Sequence, residues 1–250
     1  MNKPVLAIIG FGRFGRFAAT HLKKYASIVV ADHAPGLTLS RGVTRVSMEE
    51  AASQRYILLS VPVGRLQDTL KEIAPHVRPQ SMVCDVCAVK QLPIQWMRSL
   101  LPRSVFILGS HPLFGPASGA NGIRGLHVVL CPVRVPFRDL QTIHTGLRKA
   151  GLIVHHMSPV AHDRLMARTL FLTQFVGRAA ARLEQPTAQF STPNFELLNT
   201  IVKRTKTDSF ELFRDLYRFN PYAAGILKKV QRESIRLKSR IAQGMPGNNP

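Results

Sequence analysis

Three groups of residues in this 250-residue chain have types and spacing suited to chemistry. The first is Gly10-Phe11-Gly12-Arg13-Phe14-Gly15, a G-x-G-x-x-G that follows the apolar run Val5–Ile9. Gly10 would make a tight turn off a strand. Gly12, without a Cβ, would let a pyrophosphate reach the backbone, and Gly15 would let the next helix pack close. Free N–H groups and the dipole at that helix N-terminus favour phosphate. The second group is Asp32, 22 residues after Gly10 and just past Ile28–Ala31. That is near the spacing of a carboxylate that accepts from the adenine-ribose hydroxyls. Asp32 favours NAD; Arg41 and Arg45 downstream leave room for the 2′-phosphate of NADP. The third is Gly109-Ser110-His111-Pro112-Leu113-Phe114-Gly115-Pro116, with a histidine between serine and proline just past a strand end. A histidine titrates near neutrality, so His111 suits proton transfer.

The elements that must position these groups follow from periodicity. Short apolar runs at Val5–Ile9, Ile28–Ala31, Val43–Val46, Tyr56–Leu59, Ser81–Cys84, Val105–Leu108, His127–Leu130 and Leu152–Val154 read as strands. Helical segments alternate with them, giving a Rossmann-like parallel sheet. Ser60 and Pro62 leave the C-terminal edge of the fourth strand, where an open parallel sheet faces its ligand. From Ser158-Pro159, a good helix start, alternation ends. Helices are expected to about Leu183, over Phe195–Arg204, from near Ser209, and from Pro221 to about Ile241, with a break at Glu184–Thr187. The expected organisation is therefore an α/β dinucleotide domain over 1–155, an all-helical substrate and dimerisation domain over 156–243, and a flexible tail over 244–250.

Composition bounds the partners. No apolar run reaches the roughly 18 residues of a membrane span, and the apolar start reads as a strand, so a cytoplasmic protein is expected. Thirty-four Lys and Arg against 14 Asp and Glu give a net charge of +20. The basic residues are dispersed and lack interleaved aromatics, which speaks against nucleic acid and suits an anionic small molecule. Cys84 and Cys87 have C-x-x-C spacing, but Cys84 closes an apolar run, so reduced, packed thiols are expected and no metal site.

Four stretches together resemble the prephenate/arogenate (cyclohexadienyl) dehydrogenases: GFGRFGR at 10–16, DVCAVK at 85–90, GSHPLFGP at 109–116 and MSPVAHD at 157–163. LTQFVGR at 172–178 and TDSFELFRDLYRFN at 207–220 add to it. The sustained apolar helices of so small a second domain predict a homodimer, and the resemblance implies that it oxidatively decarboxylates a small anionic cyclohexadienyl substrate with NAD, or NADP. It implies His111 as the group that takes the C4 hydroxyl proton, Lys90 beside the cofactor, His162 in the substrate pocket, and Arg214 and Arg178 as candidates for the substrate carboxylates. The chain departs from the family pattern twice. D-x-x-S-x-K reads Ala88 at its serine, which passes that role to Ser110 or water. Gln174 stands where a histidine is frequent, which keeps hydrogen bonding to the substrate side chain but not charge. A hydroxyacid or imine reductase with the same layout would use a lysine on the first long helix after Ser158, and none is there. A catalytically weak NAD-binding interaction protein is the remaining alternative.

Overall fold

A computed structural model describes residues 3–183 and 190–243. The expected break at Glu184–Thr187 and tail at 244–250 lie outside the described residues. The chain forms two compact units, one ending at Asp163 and the other starting at Arg164.

In the first unit, eight strands make one sheet in the order β3-β2-β1-β4-β5-β6-β7-β8. They are β1 (Val5–Ile9), β2 (Ser27–Ala31), β3 (Val43–Arg45), β4 (Tyr56–Leu59), β5 (Met82–Asp85), β6 (Phe106–Pro112), β7 (His127–Arg134) and β8 (Ile153–His156). Strands β1 to β6 pair in parallel, whereas β7 runs antiparallel to β6, with β8 parallel to β7. The order reverses between β1 and β4, the point where such sheets bind ligands. Helices α1 (Arg13–Leu22), α2 (Met48–Ala52), α3 (Val63–Ile73), α4 (Gln91–Leu100) and α5 (Phe137–Lys149) connect the strands.

Ile8, Ile28, Val30 and Phe11 form one apolar cluster with Ala18 and Ala19 of α1. Met82, Leu108, Val128 and Leu130 form another, joined by Leu140, Ile143 and Leu147 of α5. Each such side chain contributes about 1.5–3 kcal/mol on full burial, so the strand ends that carry polar groups are anchored by apolar neighbours on the same strands. One expectation needs correction. The strand read as ending at Leu108 runs on to Pro112, because β7 pairs with Ser110, His111 and Pro112 across an antiparallel ladder. His111 is thus a strand residue, not a loop residue.

The boundary falls inside α6 (Pro159–Met166), eight residues beyond the 155 expected from composition. The cause is polar: the first turn of α6 is tied to the start of α4, as described below. The second unit continues through a π-helical turn (Ala167–Phe171) into α7 (Leu172–Ala180), followed by α8 (Pro193–Thr207), α9 (Phe210–Phe219) and α10 (Ala223–Gln243). Thr192 and Ser209 cap α8 and α9 by accepting from the amides of Phe195 and Leu212. No helix among the described residues is long and apolar enough to cross a membrane.

Candidate active site

The glycine motif folds as its spacing requires. Gly10 takes a φ of +93°, and a Cβ there would lie 2.6 Å from the Ser60 carbonyl oxygen. A Cβ on Gly15 would lie 2.2 Å from the Gly10 carbonyl oxygen, so only glycine lets α1 start this close to the turn. At Gly12 a Cβ would meet nothing within 4 Å. The three positions therefore separate: two glycines are required by the fold, and the third borders open space at a helix N-terminus. Beside them the Ser60 hydroxyl is buried without a partner. Open space over Gly12 and an unpartnered hydroxyl at the same edge fit a dinucleotide phosphate. Arg13 is exposed there, Phe14 packs near Phe17, and Pro62 caps α3 from an exposed position.

Asp32 does more than expected. Its Oδ2 accepts from the Phe11 amide at 2.6 Å and its Oδ1 from the Ala34 amide at 2.8 Å, which clamps the glycine turn to the end of β2. Each oxygen retains a lone pair for a ribose hydroxyl. Arg45 donates to the carbonyls of Asp32 and Ala34 at 3.3 and 3.2 Å, so a guanidinium stands beside that carboxylate.

A buried polar chain lies at the ends of β5 and β6. His111 Nδ1 and His162 Nε2 are 2.9 Å apart, and His162 Nδ1 and Asp163 Oδ1 are 2.8 Å apart. Asp163 also accepts from the Lys90 amide at 2.7 Å, the Gln91 amide at 3.0 Å and the Gln91 side chain at 3.2 Å. These bonds hold the first turn of α6 on α4. Because the Asp163 carboxylate only accepts, His162 must donate from Nδ1 and accept at Nε2. His111 must then donate from Nδ1, which leaves its Nε2 as the unprotonated acceptor. That nitrogen makes no hydrogen bond among the described residues. Burial holds His111 well below the ordinary histidine pKa, with the nearby His162 and Lys90 charges adding to the effect. Burial also lowers His162, partly offset by its bond to Asp163. Burial thus favours the neutral form of both rings, and His111 Nε2 offers a free acceptor.

Other sequence-predicted residues find different places. Lys90 is fully buried, with its ammonium on Asp85 Oδ1, which also accepts from the Cys87 amide at 2.9 Å. Burial pushes the Asp85 carboxyl up while Lys90 pulls it back. His162, expected in the substrate pocket, has one nitrogen paired with His111 and the other with Asp163. Ser110 does not join His111. Neighbouring strand residues point to opposite sheet faces, and the Ser110 hydroxyl donates to the Asp85 carbonyl at 2.8 Å while Cys84 Sγ lies 3.3 Å away. The Ser110 hydroxyl is thus engaged by the Asp85 carbonyl rather than by His111. Cys84, Cys87 and Cys131 are free thiols; burial pushes Cys84 and Cys131 up to about 12, so they stay protonated.

In the second unit, Gln174 is buried and donates to Asp208 Oδ2 at 2.6 Å, while its carbonyl oxygen accepts from Arg178 Nε at 3.2 Å. Arg178 donates to the carbonyls of Asp208 and Ser209 and lies over the rings of Phe210 and Phe213. Both residues expected to meet substrate are thus engaged in joining α7 to the turn between α8 and α9. Arg214 is exposed on α9, 3.6 Å from Glu211 and 3.8 Å from Asp215. Sequence reasoning missed Asp208, Asp85 and Gln91. Only the adjacency of His162 to Asp163 signalled the anchor.

A family model described as "Prephenate dehydrogenase, nucleotide-binding domain" matches residues 23–152, just over half the chain. The chain belongs to the prephenate dehydrogenase family. A second model, "TYRAAT1-like, C-terminal domain", matches residues 180–248. Among relatives, arogenate dehydrogenase 1 and arogenate dehydrogenase 2, both chloroplastic, of Arabidopsis thaliana are each 27% identical over 94% of this chain. A probable arogenate/prephenate dehydrogenase of Methanocaldococcus jannaschii is 27% identical over 88% of it. The chain spans 39%, 69% and 52% of the lengths of those three proteins. The fold is that of the prephenate dehydrogenase of Aquifex aeolicus solved with hydroxyphenyl propionate and NAD+ (TM-score 0.74, 19% identity, 97% of this chain and 92% of that one). It is shared with Synechocystis arogenate dehydrogenase (TM-score 0.69, 21% identity, 95% and 91%).

Proposed function

We propose that this protein catalyses the NAD(P)-dependent oxidative decarboxylation of prephenate or arogenate. The observation that carries the reading is the chain Asp163–His162–His111, which leaves His111 Nε2 unprotonated and unpartnered in a family whose nucleotide-binding domain this chain contains. When bound, the dinucleotide supplies a nicotinamide that accepts a hydride. Gly12 and the N-terminus of α1 would hold its pyrophosphate, and Asp32 its adenine ribose.

The protein's own part is proton management and placement. His111 Nε2 accepts the proton of the ring hydroxyl as the C–H bond at the same carbon loses its electron pair. The imidazolium that forms at His111 is stabilised through His162 by Asp163, whose charge is buried beside it. The ring carboxylate then departs as carbon dioxide, and its bonding electrons complete the aromatic ring. Lys90 and Gln91 hold Asp163 by their amides, so the strand end, the α4 start and the base move as one piece.

The substrate carboxylates need cations, and the exposed guanidinium of Arg214 supports it as one partner. A homodimer belongs to the same proposal, supported by the exposed apolar side chains Phe190, Leu197 and Ile235. The test follows absorbance at 340 nm with prephenate and arogenate in turn, each with NAD and with NADP. One of the four pairs is expected to yield reduced cofactor; none doing so overturns the proposal.

A further inference from the structure

The start of α4 offers Asp163 more donors than the tie between α4 and α6 requires. The first amides of a helix have no partner inside it. Those of Lys90 and Gln91 donate to Asp163 Oδ1 at 2.7 Å and Oδ2 at 3.0 Å. Both bonds come from the backbone, so any side chain at position 91 other than proline keeps them. The Gln91 side chain adds a further bond, with Nε2 3.2 Å from Oδ2. A carboxylate only accepts, so the atom facing it is the amide nitrogen.

That added donor competes with the histidine chain. Asp163 Oδ1 accepts from His162 Nδ1 at 2.8 Å, and His162 Nε2 accepts from His111 Nδ1 at 2.9 Å. A proton taken at His111 Nε2 is stabilised along this chain by the Asp163 charge. A neutral donor that shares the carboxylate stabilises that charge and makes it less basic, which weakens its pull on His162. The other groups around the chain are independent of residue 91. The Lys90 ammonium opposes protonation of both histidines, and Asp85 at the end of β5 favours that of His162. Burial keeps the Cys131 thiol of β7 protonated. We propose that Gln91 is a positioning residue, whose side-chain amide shares Asp163 with His162 and so sets how readily the histidine chain takes a proton. The effect on proton affinity concerns the histidine chain alone. The effect on rate rests on His111 being the base proposed above.

Gln91→Met tests this, because it keeps the length of the side chain and both backbone amides while removing the donor. The imidazole 15N resonances of His111 and His162 are followed in the full chain as pH is lowered, in parent and variant. The midpoint of the coupled pair is expected to rise by about 0.5–1 pH unit in Gln91→Met, the reach of one hydrogen bond. The His162 Nδ1 proton is expected to move downfield at pH 7, which reads the same strengthening if acid unfolding hides the titration. A midpoint and a proton resonance that both stay at the parent values overturn the proposal. So does lowered thermal stability as the sole change, which would make the Gln91 side chain a tether of α4 to α6. In turnover, the acid limb is expected to rise by the same amount, with KM unchanged. A moved midpoint beside an unmoved acid limb would support the role of Gln91 and overturn His111 as the base. Absence of turnover with every substrate and cofactor pair would overturn the reaction alone, and the resonances would still decide Gln91.

Discussion

A buried polar cluster in each unit is built from similar parts, and the two end differently. In the helical unit, Gln174, Arg178 and Asp208 form a closed set: the Gln174 amide uses both its nitrogen and its oxygen, and Arg178 is engaged by two carbonyls and two aromatic rings. In the sheet unit, the chain from Asp163 through His162 to His111 is saturated at one end only. Asp163 receives four hydrogen bonds from Lys90, Gln91 and His162, whereas His111 Nε2 receives none. A closed cluster spends its polarity on joining helices. An open one holds a basic nitrogen in reserve and fixes which nitrogen it is. Buried polar groups are costly unless partnered, so the unpartnered end of the chain from Asp163 to His111 is where chemistry is expected.

The largest effect should come from removing that end. His111→Ala is expected to lower turnover by about 10²–10⁴, the usual contribution of a positioned base, with little change in dinucleotide affinity measured by fluorescence titration. Turnover within about twofold of the parent chain would end the contrast between the clusters. The same geometry fixes a pH dependence. Burial keeps His111 and His162 below the ordinary value near 6.5, so the folded state resists protons that the unfolded chain accepts. Stability should be full above about pH 6.5 and decline as pH falls below it, and the acid limb of turnover should lie well below 6.5. An acid limb at or above 6.5 would contradict a buried neutral base.

Asp163→Asn tests the closed end of the open chain. It keeps the shape, but its amide nitrogen can donate towards His162 and reverse the tautomer along the chain. Turnover is expected to fall by about 10–100-fold (about 1.4–2.7 kcal/mol), with altered imidazole 15N shifts at His111. A drop in thermal stability with normal turnover of the folded fraction would make Asp163 a helix tether only. Gln174→Leu is the matching change in the other cluster. It leaves the Asp208 carboxylate and Arg178 Nε short of a partner, which should cost about 1–3 kcal/mol in denaturant unfolding and leave turnover per folded chain unchanged. A raised KM with unaltered stability would reverse the assignment and return Gln174 to the substrate.

How much of this could be read from the sequence follows the range of the interactions. The glycine turn was fully legible because its constraints are local: a positive φ at Gly10 and a close backbone approach at Gly15 act within a few residues. The sheet was legible from apolar runs, except that β6 continues through Ser110 and His111 and that β7 runs antiparallel to it. Polar residues join a strand there because an antiparallel neighbour pairs with them, and pairing between distant segments leaves no periodic trace. The histidines were found, but not their connection. His111 and His162 are 51 positions apart, and nothing in either segment states that their nitrogens meet at 2.9 Å. The partner of Ser110 was hidden for the same reason: a residue adjacent in sequence to His111 lies on the opposite face once the segment is a strand. The bonds of Gln174 and Arg178 to Asp208 were equally hidden, because Asp208 lies 34 positions from Gln174.

The smallest expected effect bears on Arg214, which belongs to neither cluster. Its side chain is 57% exposed, and the carboxylates of Glu211 and Asp215 lie at 3.6 and 3.8 Å. Exposed pairs of this kind contribute about 0–1 kcal/mol, so Arg214→Ala should leave unfolding unchanged within about 0.5 kcal/mol. If Arg214 receives a substrate carboxylate, KM should rise about tenfold while kcat stays near that of the parent chain, since uniform binding is lost without touching the base. Arg214→Lys should recover only part of that loss, because an ammonium cannot form the two parallel bonds of a guanidinium. Unchanged KM in both variants would leave Arg214 a solvated helix residue, and the cation for the dicarboxylate would then have to be sought among the other exposed basic side chains. A fall in kcat instead would mean that the open cluster extends further than the chain from Asp163 to His111.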